Sequence, residues 1–142
     1  MNKQQPFCEF CDIFQNKKNQ IIFQNDFVFA IEDIDLASSQ RHILVCPIKH
    51  IENSSYLTKN DLQLLDEIHK VCEQILQKSH PGKEYKYGFH IPPHISIDHL
   101  HYHGIVLPIR DQFFGLVKFG RLLYPMSYIK ENILQQNAKK EE

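Results

Sequence analysis

With 142 residues, 42% of them apolar and 23% charged, the chain suits one soluble domain with a substantial core. A formal net charge of −1 gives no whole-chain attraction for nucleic acid or an anionic membrane, so a small anion would have to be held by local groups. No apolar run reaches 18 residues, and the opening Met-Asn-Lys-Gln-Gln-Pro is too polar for a secretion signal. The chain therefore reads as intracellular, in cytoplasm or nucleus, with a mitochondrial destination left open.

In chain order, residues 1–20 are polar apart from Phe7, Phe10, Ile13 and Phe14, which surround Cys8 and Cys11. Two short strands follow, Ile21–Phe23 and Phe27–Ile31, turning at Gln24-Asn25-Asp26. Asp33 to Arg41 is polar and reads as a loop. His42–Pro47 is a strongly apolar strand, expected at the centre of a sheet, and Cys46 within it reads as a small buried hydrophobe. Thr58, with Asp61 three residues on, marks the start of the clearest helix. Leu62, Leu65, Ile68, Cys72, Ile75 and Leu76 give it an apolar stripe, and it stops near Ser79-His80-Pro81-Gly82. His69 is placed on its wet side and His80 at its end, neither with an assigned role.

Tyr85–Phe89 is a further strand candidate. Pro92-Pro93 makes His90–His94 a loop, and Ser96–Leu107 reads as one long strand stopped by Pro108. Ser127 is a candidate cap for a last, shorter helix over Tyr128–Gln136. Residues 1–137 then form a single domain with an N-terminal Cys-x-x-Cys segment, and residues 138–142 a charged tail. Strands outnumber helices and are joined by short turns, which indicates an antiparallel α+β domain.

The chemistry concentrates in Asp98-His-Leu-His-Tyr-His-Gly104. On a strand, His99, His101 and His103 share one face. Three such imidazoles can ligate a metal, bind phosphate or present a nucleophile. A nucleophilic imidazole needs its Nε2 unprotonated and its Nδ1–H held by an acceptor. The middle histidine, buttressed on both sides, suits that role best. A neighbouring imidazole can donate to phosphate oxygens where charge develops. Cys8 and Cys11 supply two ligands at a spacing suited to structural zinc, with His50 and His99 as plausible others. The alternative is that the cysteines merely pack near the N-terminus.

These motifs resemble the histidine triad (HIT) family. His99-Leu-His101-Tyr-His103 is similar to its His-φ-His-φ-His signature, and Cys8-Glu-Phe-Cys11-Asp-Ile13 to the opening of its Hint branch. Phe29-Ala-Ile-Glu-Asp33-Ile34 and His42-Ile-Leu-Val-Cys-Pro47-Ile-Lys-His50-Ile51 also match family segments. Gly88-Phe-His-Ile-Pro92-Pro93, Ser96 and Gly115-Leu-x-x-Lys118 look most like the histidine triad nucleotide-binding protein 3 type. The resemblance implies a five-stranded antiparallel sheet with two helices, usually dimerised edge to edge. It implies purine nucleotide binding, and hydrolysis or nucleotidyl transfer at the α-phosphate of phosphoramidate or acyl-adenylate conjugates. His101 would form a nucleotidyl-histidine, His103 bind phosphate oxygens, Ser96 stand near the leaving group and His42 line the site. Asp33 would bond the ribose, Ile34 touch the base, and Cys8, Cys11, His50 and His99 hold zinc.

The chain also departs from the pattern. The Asp33-Ile34-Asp35-Leu36 loop lacks the usual proline and is one residue longer, and Gly104 replaces an aliphatic residue, which weakens a strand locally. Arg41 stands where a small residue or histidine is common, and reads either as a leaving-group contact or as solvated surface. The alternative to an enzyme is a catalytically reduced domain serving as a binding or structural subunit of a larger complex.

Overall fold

The computed structural model describes residues 7–33, 40–110 and 114–141, and the side chains of these up to Gln136. Five strands, β1 (Ile21–Gln24), β2 (Val28–Glu32), β3 (His42–Pro47), β4 (Tyr85–Gly88) and β5 (Tyr102–Val106), form one antiparallel sheet in the order β1-β2-β3-β5-β4. The expected α+β architecture is present.

The sheet's two faces follow from the alternation of side chains along each strand. Ala30, Ile43, Val45 and Tyr102 turn one way and pack with Leu65, Ile68, Cys72 and Leu76 of helix α2 (Leu62–Ser79), forming the main core. Phe29, Ile31, Leu44 and Cys46 turn the other way and are covered by Phe10 and Ile13 of helix α1 (Glu9–Asn16). Cys46 and Cys72 are fully buried, as the sequence indicates.

Thr58 caps a 3-10 turn, Lys59–Asp61, that leads into α2, rather than α2 directly. Its capping box with Asp61 is complete: the Thr58 N–H donates to Asp61 Oδ2 at 2.9 Å. A short helix α3 (Phe114–Leu116) precedes the last helix, α4, which spans Met126–Glu141. Ser127 lies inside α4, and the Pro125 carbonyl accepts from the Tyr128 and Ile129 N–H groups instead. The expected boundary between residues 137 and 138 thus falls within a helix, because the polar tail continues its backbone hydrogen bonding. Lys130 of α4 pairs with Asp66 of α2.

Two α-helices among the described residues are absent from the sequence reading. One is α1. The other is α3, which runs into a π-helical turn over Val117–Arg121. The chain then docks at β4: Phe89 and Tyr124 exchange both backbone hydrogen bonds at 2.8 Å. A Cβ on Gly88 would lie 2.7 Å from Leu123 Cγ and from the Tyr124 carbonyl, so this docking requires glycine there.

The long strand expected over Ser96–Leu107 is shorter, with only Tyr102–Val106 in the ladder. The Leu100 N–H donates to the Ile51 carbonyl at 2.7 Å, drawing the backbone away from β3 before the ladder begins. His99 and His101 therefore precede the strand, and only His103 is set by its register.

Gly104 also has a packing reason. It faces α2, where a Cβ would overlap Cys72 Sγ and lie 3.1 Å from Leu76 Cδ1 and 3.3 Å from Ile43 Cγ1. The glycine accommodates the helix rather than marking a degraded strand.

Candidate active site

The register of β3 and β5 builds the inner part of the site. His42 pairs with Ile105 and Leu44 with His103, so His42 and His103 are diagonal neighbours on the α1-covered face. His42 Nε2 lies 2.9 Å from His103 Nδ1 and 3.2 Å from Asp33 Oδ2, and Asp33 is 3.9 Å from His103. Asp33 directly follows β2, and its carboxylate is aimed at the two imidazoles. Its N–H donates to the His42 carbonyl at 2.9 Å, which extends the β2–β3 pairing by one residue. Ile34, expected against the base, lies outside the described residues.

His103 is 4% exposed, and its Nε2 is buried without a hydrogen-bond partner. Burial drives its proton affinity down, and the neighbouring His101, His42, His90 and Lys118 charges act in the same direction. A buried nitrogen left unpaired is costly. A phosphate oxygen is the chemical partner that it could take.

His101 sits beside it, with ring centroids 5.1 Å apart, and Phe10 packs edge-on at 5.1 Å. The His101 Nδ1–H donates to the His99 carbonyl at 2.7 Å. That bond fixes the tautomer and leaves the lone pair on Nε2. Burial lowers the His101 pKa to about 4, against the opposing effect of the His99 carbonyl. A neutral imidazole with an oriented Nε2 lone pair is what nucleophilic attack requires.

His99 turns away from its two companions. Its Nε2–H donates to the Pro47 carbonyl at 2.8 Å, so Nδ1 presents its lone pair. Nδ1 lies 3.4 Å from Cys8 Sγ and 3.5 Å from Cys11 Sγ, and His50 Nδ1 is 3.4 Å from Cys11 Sγ. The four ligand atoms all lie within 4.8 Å of one another. A zinc ion with bonds of about 2.3 Å to sulfur and about 2.0–2.1 Å to nitrogen would set a tetrahedral S···N edge of about 3.6 Å. The observed separations are those that such an ion could span. The Pro47 carbonyl orients His99 as an outer-sphere acceptor would. Burial raises the Cys11 pKa to about 11, with Cys8 adding to it, so a cation is needed to hold that sulfur as a thiolate. Cys8 also caps α1, accepting from the Cys11 N–H at 3.4 Å.

Ser96 is exposed on the β4–β5 loop. It lies between a cavity beside Cys8 and His50 and a second cavity beside His90 and Lys118. Arg41 is paired with Glu32, Nη2 to Oε1 at 2.6 Å, across the β2–β3 hairpin. His69, placed on the wet side of α2 from sequence, bonds Tyr102 Oη through Nδ1 at 2.8 Å and approaches Glu73 at 3.4 Å.

Two residues of the site were not singled out. His90 packs against His103 with centroids 4.6 Å apart, and its Nε2–H donates to the Lys118 carbonyl at 2.6 Å. Phe119, from the π-helical turn, is buried against His42 at 5.1 Å and against His90 and His103 at 5.8 Å. A histidine two residues before Pro92-Pro93 was the available signal for the first.

Comparisons with known proteins bear on the family and the fold. A family model described as "Scavenger mRNA decapping enzyme C-term binding" matches residues 7–116. The chain is 40% identical over 109 residues to the bifunctional adenosine 5′-phosphosulfate phosphorylase/adenylylsulfatase HINT4 of Arabidopsis thaliana, covering 71% of this chain and 70% of that protein. It is 34% identical over 100 residues to the adenosine 5′-monophosphoramidase HINT3 of Xenopus tropicalis, covering 68% of this chain and 65% of that protein. A HIT family hydrolase from Legionella pneumophila shares the fold, with a TM-score of 0.67 at 22% identity over 75% of this chain and 98% of its own. From the buried histidines on β3 and β5 to the matched length, the observations converge: the chain belongs to the histidine triad family, in its Hint branch.

Proposed function

We propose that the chain is a hydrolase that cleaves purine nucleotide conjugates at the α-phosphate. The observation that carries this reading is the His101 Nδ1–His99 carbonyl bond of 2.7 Å, which leaves a buried, neutral imidazole with its Nε2 lone pair available. Relatives named as an adenosine monophosphoramidase and an adenylylsulfatase support it.

His101 Nε2 attacks the α-phosphorus, and the bond to the leaving group breaks. Water then attacks the nucleotidyl-histidine, and the P–N electron pair returns to Nε2. His103 offers its unpartnered Nε2 to an α-phosphate oxygen, and His42 and Asp33 hold the opposite ring edge. Preorganised donors of this kind need no reorganisation as charge develops. The Cys8, Cys11, His50 and His99 cluster holds zinc in a structural role, away from the reacting atoms. The homodimer joined sheet edge to sheet edge that the resemblance implies is a further proposal, which sizing in solution addresses.

The test is AMP release from adenosine 5′-phosphoramidate, with His101→Ala as the control. Wild-type turnover with a loss of at least about a thousandfold in the variant is expected. Equal rates would refute the proposal.

A further inference from the structure

His103 is held differently from the other two histidines of the run. The rings of His99 and His101 each donate to a backbone carbonyl, those of Pro47 and His99, at 2.8 and 2.7 Å. Among the described residues His103 has no such anchor: its one hydrogen bond is to His42, at 2.9 Å, and Asp33 stands 3.9 Å away. The direction of the His42–His103 bond follows from Asp33. A carboxylate 3.2 Å from His42 Nε2 calls for a proton on that nitrogen. His103 Nδ1 therefore accepts, and His103 carries its own proton on Nε2, the atom left without a partner. In that tautomer, and with its ring aimed, it can donate to a phosphate oxygen. A ring tied at one nitrogen can still tilt about that bond, so its aim depends on what packs against it.

Phe119 packs there. His42 and Ile105 are register partners, and Ile105 shares the sheet face of His103, two residues before it. Phe119 covers this end of the face, buried and seated on Ile105, Ile109 and Leu123. Its ring meets His42 edge-on, with centroids 5.1 Å apart and an interplanar angle of 80°, and meets His103 at 5.8 Å and 58°. Both separations are those of attractive aromatic pairs. Phe10 of α1 packs in the same way against His99 and His101, at the other end of the face.

The backbone that carries Phe119 is pinned on both sides of it. The Leu122 N–H donates to the Val117 carbonyl at 2.9 Å, one residue further along than in an α-helix, which makes the turn π-helical. The Lys118 carbonyl accepts from the His90 Nε2–H at 2.6 Å, and the His90 ring itself lies 4.6 Å from His103.

We propose that Phe119 is a positioning residue for the reaction: carried by the π-helical turn, its ring fixes the His42–His103 pair so that the His103 Nε2–H is aimed at the α-phosphate. That role presupposes the hydrolase reading above. Phe119 acts through the two imidazoles and supplies no polar group to the substrate. Charge on the phosphate oxygens grows in the transition state, so a loosened His103 lowers kcat more than it raises KM.

The experiment pairs kinetics with a spectrum. kcat and KM for adenosine 5′-phosphoramidate are measured with wild-type protein, Phe119→Leu and Phe119→Ala, and melting temperature reports which variants fold. kcat is expected to fall at least about threefold in Phe119→Leu, which keeps most of the volume, and at least about tenfold in Phe119→Ala, with KM changing less than about threefold in each. If the alanine variant does not fold, the leucine variant decides. The side-chain nitrogen NMR spectrum of the substrate-free protein, with His103 assigned through His103→Gln, is recorded at about pH 7.5, above the ordinary histidine range. Wild-type His103 is expected to show one protonated and one unprotonated nitrogen. In the Phe119 variants the two signals should move towards each other as the tautomers mix. An unchanged kcat in a folded variant would overturn the proposal. So would a lowered kcat with the His103 nitrogens unmoved, which marks a merely structural role. If wild-type protein releases no AMP, the hydrolase reading fails, and the spectrum alone decides the positioning: mixing in Phe119→Leu supports it, and identical spectra refute it.

Discussion

Replacing Gly104 by alanine tests whether the sheet and α2 are packed as described. The new Cβ would overlap Cys72 Sγ, with Leu76 Cδ1 at 3.1 Å and Ile43 Cγ1 at 3.3 Å leaving little room to yield. Cys72 is on a helix and fully buried, so its sulfur can move only by a rotamer change against packed neighbours. Overpacking of this kind costs about 1–3 kcal/mol, and alanine's lower backbone entropy in the unfolded chain offsets roughly 0.5 kcal/mol. A net loss of about 2 kcal/mol is expected. In urea, with a slope of about 2 kcal/mol/M, the midpoint falls by about 1 M. Cys72→Ala alone costs roughly 1 kcal/mol through the space it leaves. In the double variant the methyl group introduced at position 104 occupies that space, so the combined loss stays near about 1 kcal/mol instead of about 3 kcal/mol. Additivity within about 0.5 kcal/mol would show that the two residues do not compete for one volume and would refute the reasoning.

Further outcomes are expected elsewhere. Zinc should copurify near one ion per chain; Cys11→Ser should lower metal content by mass spectrometry, and chelation should lower the melting temperature of wild-type protein only. Thr58→Ala removes the cap of the turn before α2 and should cost about 1 kcal/mol in urea unfolding, whereas Thr58→Ser should cost less. Burial depresses His101, His103 and His90, so the unfolded chain binds protons below about pH 6.5 that the native chain does not. Stability is therefore complete above about pH 6.5 and is lost as pH falls towards the native values. With His101 at about 4, that residue alone contributes roughly 3 kcal/mol across this window. A urea midpoint unchanged between about pH 7.5 and about pH 5 would contradict it.

The parts of the site that could be read from sequence are those governed by local periodicity. His42 opens an apolar run whose register brings it to His103, and the α2 stripe predicts the face that covers the sheet. The N-terminal helix escaped because its cap is a cysteine sulfur and its length is only eight residues, although Phe10 and Ile13 have helical spacing. The histidine run read as a uniform strand because alternation alone does not reveal that the Leu100 N–H bonds Ile51, outside the ladder. His90 and Phe119 come from segments far apart in the chain, and no spacing rule links such distant positions.

The step from His99 to His101 joins two kinds of constraint in one residue. The ring of His99 is held between Pro47 and the two cysteine sulfurs, while its carbonyl sets the tautomer of His101, the next residue but one. A substitution at the thiols and a substitution at the nucleophile thus cannot drift independently. Remodelling the N-terminal cluster for another purpose would require a new anchor for the His99 peptide plane, or the attacking nitrogen would lose its aim.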